Sequence, residues 1–165
     1  MASYVVDFQG FNLGYFVIKE ICVVGVDNSF FYHRFVRSPM CYGSLSKHAK
    51  KQVEFVTKNI HGLDWDLGYT LEKDVLETLK SKLAGCTVYI KGSERANYFK
   101  NLLKGKDSHV VDLDIYDYRG PRSLKEFSYE GCSDLLCRHT NLRCSYRKAF
   151  MYRDYIRKWV LYKDT

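Results

Sequence analysis

The hydrophobic positions of this chain change period along its length. Residues 3–8, SYVVDF, are a short apolar run that ends in the polar stretch QGFNLG. Residues 15–25, YFVIKEICVVG, are β-branched and apolar, with Lys19-Glu20 set inside them, and Gly25-Val26-Asp27-Asn28 is a turn signal. Residues 29–36, SFFYHRFV, form a third such run, broken at Pro39. Short connections between three β-rich runs predict an antiparallel meander. The period then becomes helical. Residues 44–59 read as a helix with Ser44 as N-cap, and residues 61–66 as a turn. Residues 70–84 are amphipathic through Val75, Leu76, Leu79 and Leu83, and Gly85 stops them. A buried strand is predicted at 86–90, a helix at 93–104 closed by Gly105, and a strand at 109–113. Pro121 and Ser123 introduce a short helix. The last helix runs from about Leu142 to Leu161, its stripe of Leu142, Tyr146, Ala149, Ile156 and Val160 interrupted by Arg153. This order predicts an α/β fold: a mixed five-stranded sheet, three antiparallel strands first, flanked by helices in a single domain over residues 1–165.

Composition supports a packed domain. The chain has 165 residues, 46% hydrophobic and 16% aromatic, which argues against disorder. No apolar run reaches the roughly 18 residues of a membrane span. The start, MASYVVDFQGF, lacks the basic and apolar regions of a signal peptide. An intracellular protein is expected, cytoplasmic or perinuclear with the nucleus also open, and no membrane partner.

Charge and cysteines add chemistry. The net charge is +7, and residues 138–165 hold eight Lys/Arg against two Asp. Such local excess favours a polyanion. Arg138, Arg143, Arg147, Lys148, Arg153, Arg157 and Lys158 are the candidate nucleic-acid contacts. Tyr116, Tyr118, Tyr129, Tyr146, Tyr152 and Tyr155 lie among these and neighbouring arginines, a pairing suited to single-stranded RNA. Core packing is the competing reading for about half of these tyrosines. Of six cysteines, Cys22 and Cys86 read as small buried hydrophobes and Cys41 as a loop residue. Cys132, Cys137 and Cys144 crowd around His139. In a reducing compartment that favours metal over disulfides. Cys137, His139 and Cys144 supply three thiolate or imidazole ligands, and a structural zinc site needs four. His33, His61 and His109 have no ligand spacing around them and read as structural.

The element order is that of the ribonuclease H fold, and the chain resembles the DEDDh exonucleases. Where that family has Asp-x-Glu on its first strand, this chain has Asp7-Phe8-Gln9. Val88–Asn97 stands at the second motif with Glu94 but no Asp, and Val110-Val111-Asp112-Leu113 matches a later strand. The closing motif, a His followed five residues later by Asp, reads His139 and Cys144. The resemblance makes Asp7, Glu94 and Asp112 the ancestral-site candidates. A two-metal nuclease needs several hard carboxylates, so exonuclease activity of this type is not expected. A thiolate at the last position selects a softer ion.

That exchange resembles the Maelstrom domain, an RNase H-like domain of germline small-RNA and transposon silencing. The matching segments are Lys19–Gly25, Phe31–Val36, His61-Gly62-Leu63, and Cys137, His139 and Cys144. The DFQGF opening departs from the family's first strand. The resemblance implies one structural Zn²⁺ per chain on Glu20, Cys137, His139 and Cys144, with Cys132 as an alternate ligand. It also implies an RNA partner, single-stranded in preference. Two alternatives stand beside it: a single-strand RNA endonuclease that works without the old carboxylates, and a non-catalytic scaffold of a virus or mobile element.

Overall fold

A computed structural model describes residues 2–116 and 144–161. Its core is a six-stranded mixed sheet. The strands are β1 (Ser3–Asn12), β2 (Phe16–Gly25), β3 (Phe31–Arg37), β4 (Thr70–Leu71), β5 (Thr87–Ile90) and β6 (His109–Asp112). Their order across the sheet is β4-β3-β2-β1-β5-β6. The first three strands pair antiparallel, while β5 lies parallel to β1, and β6 to β5. The expected meander and both later strands are therefore present. The sixth strand is the addition: Thr70 and Leu71 pair parallel with Val36 and Arg37 before the next helix begins. Two residues are too few to leave an alternation in the sequence.

The helices are α1 (Lys47–Val56), α2 (Glu72–Leu83), α3 (Ser93–Leu102) and α4 (Ser145–Tyr155). α1 and α4 each continue into a wider π-type turn, Thr57–His61 and Ile156–Leu161 respectively. The cap of α1 is Ser46 rather than Ser44, its side chain accepting from the Ala49 amide at 3.1 Å. Ser44 instead belongs to a short 3-10 turn, Tyr42–Ser44. Asp and Glu in the first turn of α2 and lysines in its last complement the helix dipole.

Side-chain alternation along the strands divides the core. Val6, Phe8, Ile21, Val23, Val88 and Ile90 face α2 and α3, meeting Val75, Leu79, Leu83 and Phe99. Each fully buried side chain of this kind contributes roughly 1.5–3 kcal/mol of transfer free energy. On the opposite face Val5, Tyr89, Val111 and Leu113 meet Tyr152 and Ile156 of the C-terminal helix. Cys22 and Val24 meet Ala149 there. A third cluster, Phe11, Val17, Val53, Val56 and Trp65, seats α1 against the end of the β1–β2 hairpin.

β1 runs past the expected loop at QGFNLG because of a bulge. Gln9 pairs with Glu20, but Gly10 pairs with Ile18, leaving Lys19 as the extra residue. Gly10 is required there: a Cβ on it would lie 1.8 Å from the Val17 carbonyl oxygen. The bulge lets Phe11 continue the strand and become fully buried.

Candidate functional site

The bulge separates two charged neighbours. Lys19 and Glu20 are both buried, 1% and 0% exposed, and alternation alone would send one of them to the wrong place. Lys19 reaches toward the β3–β4 edge. Four acceptors surround its Nζ and share its three N–H donors: the Val36 and Trp65 carbonyls, both at 2.8 Å, Ser38 Oγ at 2.9 Å, and the Leu67 carbonyl. Burial lowers its pKa to about 8, against a smaller opposing pull from Asp66. Beside it, His61 closes the His61-Gly62-Leu63 turn. Its Nδ1 accepts the Leu63 amide at 3.0 Å, so Nε2 carries the proton and donates to the Gly10 carbonyl at 3.0 Å. Gly62, at φ 73°, takes the left-handed step that folds this turn back. His61 is thus structural, as its isolated position implied.

Glu20 points the other way, onto the face covered by α4. Its Oε1 accepts from Gln9 Nε2 at 2.7 Å and from the Ser145 amide at 3.2 Å. Its Oε2 lies 2.8 Å from His33 Nε2. The Ser145 contact brings the chain next to Cys144, itself 2% exposed, up to this carboxylate, and both Glu20 and Cys144 act on Cys22. Cys144 is also the N-cap residue of α4. Of the expected ligands, Glu20 and Cys144 are therefore brought together across 124 residues of chain by the docking of one helix start. Cys132, Cys137 and His139 lie outside the described residues, as do Arg138 and Arg143.

Asp7, Cys22 and His33 stand in one row across β1, β2 and β3 on the same face. Burial drives the Cys22 thiol well above its ordinary pKa, reinforced by Glu20, Asp7 and Cys144. It is a neutral thiol in this setting. Asp7 Oδ2 lies 3.4 Å from Lys148 Nζ, close enough for an ion pair but without hydrogen-bond alignment. Among the described residues, the buried side-chain oxygens lacking a hydrogen bond are Asp7 Oδ2 and Ser145 Oγ, and both are on this face. No three His, Cys, Asp or Glu side chains among the described residues gather closely enough to hold a metal ion.

The three ancestral-site candidates do not converge. Asp112 ends β6, two strands away from β1, where neighbouring strands are about 4.8 Å apart. Its neighbours Val111 and Leu113 face α4, so its own side chain faces away from Asp7. There its Oδ1 accepts the Gly92 and Asp114 amides, both at 3.0 Å, and orders the start of α3. Glu94 is exposed in the first turn of α3. An arrangement with one buried carboxylate, paired to lysine, and the others elsewhere does not make a two-metal clamp.

The C-terminal cations are used unevenly. Lys148 turns inward to Asp7. Arg153 is 4% exposed, donates to Asn28 Oδ1 and Asp154, and lies over the Phe150 ring at 4.7 Å. It belongs to the packing of the helix rather than to its outer face. Arg157 Nε donates to the Val26 carbonyl at 2.5 Å. Arg147 is half-buried and Lys158 exposed beside Trp159. Tyr152 is in the core, and Tyr146 packs against Phe31 and Phe150. Cys86 is half-buried rather than buried.

Two residues around Glu20 have a role the sequence does not assign them: Gln9, which reads there only as a lost carboxylate, and His33, which reads only as structural. Their role depends on strand register, and the register depends on the bulge. The one available signal was the Lys19-Glu20 pair itself, two charges in succession inside an apolar strand.

No protein-family model matches the chain, and no curated protein matches it. The class defined by the fold is α/β, with a six-stranded mixed sheet flanked by helices. Among the described residues no helix is long and apolar enough to cross a membrane.

Proposed function

We propose that this chain is an RNase H-like domain, similar to the Maelstrom domain, that binds single-stranded RNA and is stabilised by one zinc ion. The observation that carries this reading is the buried Glu20 carboxylate accepting the amide of Ser145, the residue that follows the buried Cys144. On that same face Asp7 is paired with Lys148, while Asp112 and Glu94 lie elsewhere. The donor set suits zinc: one hard oxygen and one thiolate, in a pocket where the carboxylate is already oriented by Gln9 and His33. Glu20 and Cys144 would hold the ion together with Cys137 and His139, with Cys132 as the alternate. A bound zinc at a closed four-ligand site supplies folding energy rather than an activated water. It would tie β2 to the segment leading into α4.

The sheet order supports the RNase H-like part of the reading. Three antiparallel strands come first, then two parallel strands are added beside β1 through helical crossovers. The net charge of +7 supports the RNA part. Binding is tested by titrating the zinc-loaded chain into labelled single-stranded and duplex RNA at low salt. Binding of the single strand that weakens steeply with salt is the expected result. Absence of binding to either form at low salt removes the RNA reading.

A further inference from the structure

The C-terminal helix is the basic element of the sequence, yet the fold spends much of its charge internally, as Lys148, Arg153 and Arg157 show. The opposite holds for α1. Its inward side, Val53 and Val56, packs on Phe11 and Trp65. Its outward side carries Lys47, Lys51 and Lys58, all exposed. Residues 47, 51, 55 and 58 follow helical spacing and share one face. Among the described residues, none of the three lysines is in an ion pair. Glu54, the single acidic residue of the helix, is engaged by the Tyr42 hydroxyl at 2.5 Å. Between Lys51 and Lys58 stands Phe55, 57% exposed and, among the described residues, packed on no other ring.

We infer that the outward face of α1 is a single-stranded RNA contact surface, with Phe55 as a base-stacking platform and Lys47, Lys51 and Lys58 as phosphate contacts. This rests on the RNA-binding reading above and goes beyond it by moving the interface from the C-terminal helix to α1. Charge complementarity selects a polyanion, since the face presents three lysines outside any ion pair among the described residues against the single carboxylate of Glu54. The flat aromatic side chain among them selects nucleic acid, because every base offers a π-face to stack and the cations can follow the backbone. Duplex RNA offers no unstacked base to Phe55, so the single strand is favoured. A membrane interface would want a broader apolar face than Phe55 and Ile60 provide.

The test is fluorescence anisotropy of a labelled oligouridylate with the full chain and three variants. In Lys47→Ala/Lys51→Ala/Lys58→Ala, affinity at low salt falls at least tenfold, and the log–log salt slope flattens by about 2, three contacts at roughly 0.7 each. In Phe55→Ala affinity falls about tenfold with the slope unchanged. Lys80→Ala/Lys100→Ala/Lys104→Ala removes equal charge from other exposed positions and falls much less than the α1 triple. Circular dichroism confirms that the variants fold. If the wild type binds and the α1 variants bind equally well, or lose no more than the control triple, the α1 surface is overturned while RNA binding stands. If the wild type binds no RNA, both fall. Phe55-dependent binding to phosphatidylserine vesicles in place of RNA also overturns the assignment.

Discussion

Lys19 and Glu20 are adjacent in sequence and opposed in purpose. The lysine is enclosed by three backbone carbonyls and a hydroxyl, and it pins the segment around Trp65 to the end of β3. Replacing it by methionine keeps the bulk but leaves those carbonyls without their donor. Lys19→Met is expected to destabilise the fold by about 2–4 kcal/mol, measured by urea unfolding at neutral pH. The pH dependence has a definite sign. Burial holds the folded-state pKa near 8, below the ordinary 10.5, so between these values the unfolded chain binds more protons. The cost of burying the ammonium is fully present below pH 8 and is relieved as pH rises toward 10.5. Wild-type stability should therefore gain between pH 8 and 10 relative to Lys19→Met. A parallel pH profile for the two proteins would contradict this.

Glu20 depends on its neighbours in a different way. Gln9 donates to its Oε1 at 2.7 Å from the opposing strand. A carboxylate at position 9 would instead face Glu20 at that distance, a strong repulsion in a buried site. Gln9→Glu is expected to lose about 2–4 kcal/mol. The exchange Gln9→Glu/Glu20→Gln restores one donor facing one acceptor but gives up the Glu20 ligand, so it should be more stable than the sum of its single changes and less stable than the wild type. A double variant no better than the sum of its single changes would show that the pair is not coupled.

At the scale of elements, the β1–β2 hairpin is the part on which the site depends. Its bulge sets the register that puts Glu20 opposite Gln9 and sends Lys19 elsewhere. Gly10→Ala would drive a methyl into the Val17 carbonyl. It should cost on the order of 3 kcal/mol or prevent folding, seen as a lowered thermal midpoint. Hydrophobic alternation made the three strands, the helices and the C-terminal stripe legible, because those elements each bury one face. The bulge was not legible in that way. Gln9-Gly10 has the composition of a loop, and only the close approach of two backbones makes it strand. For the same reason the family resemblance could offer Glu20 and Cys144 as candidate ligands, whereas Gln9 and His33 could not be named as the groups around Glu20. The inward turn of Lys148 and Arg153, candidate nucleic-acid contacts by their charge, is hidden in the sequence for a related reason. The stripe of α4 locates its apolar side, but Asp7 and Asn28, which draw the cations inward, come from β1 and the β2–β3 turn.

At the scale of the whole molecule, the sheet face under α2 and α3 is apolar core, while the face under α4 sets a polar cluster among apolar residues. A polar cluster under a helix is expensive unless every group is satisfied, and here Asp7 Oδ2 and Ser145 Oγ lack hydrogen bonds. A metal ion bound close by would alter both environments, and it would explain why a thiol and a carboxylate share this space. The central claim is therefore tested most directly by metal analysis of the purified chain alongside Glu20→Gln and Cys144→Ser. The account predicts one zinc per wild-type chain, and loss of that zinc in each variant together with a fall in thermal stability. A wild-type chain that folds without zinc, or variants that keep a full complement of it, would contradict the account.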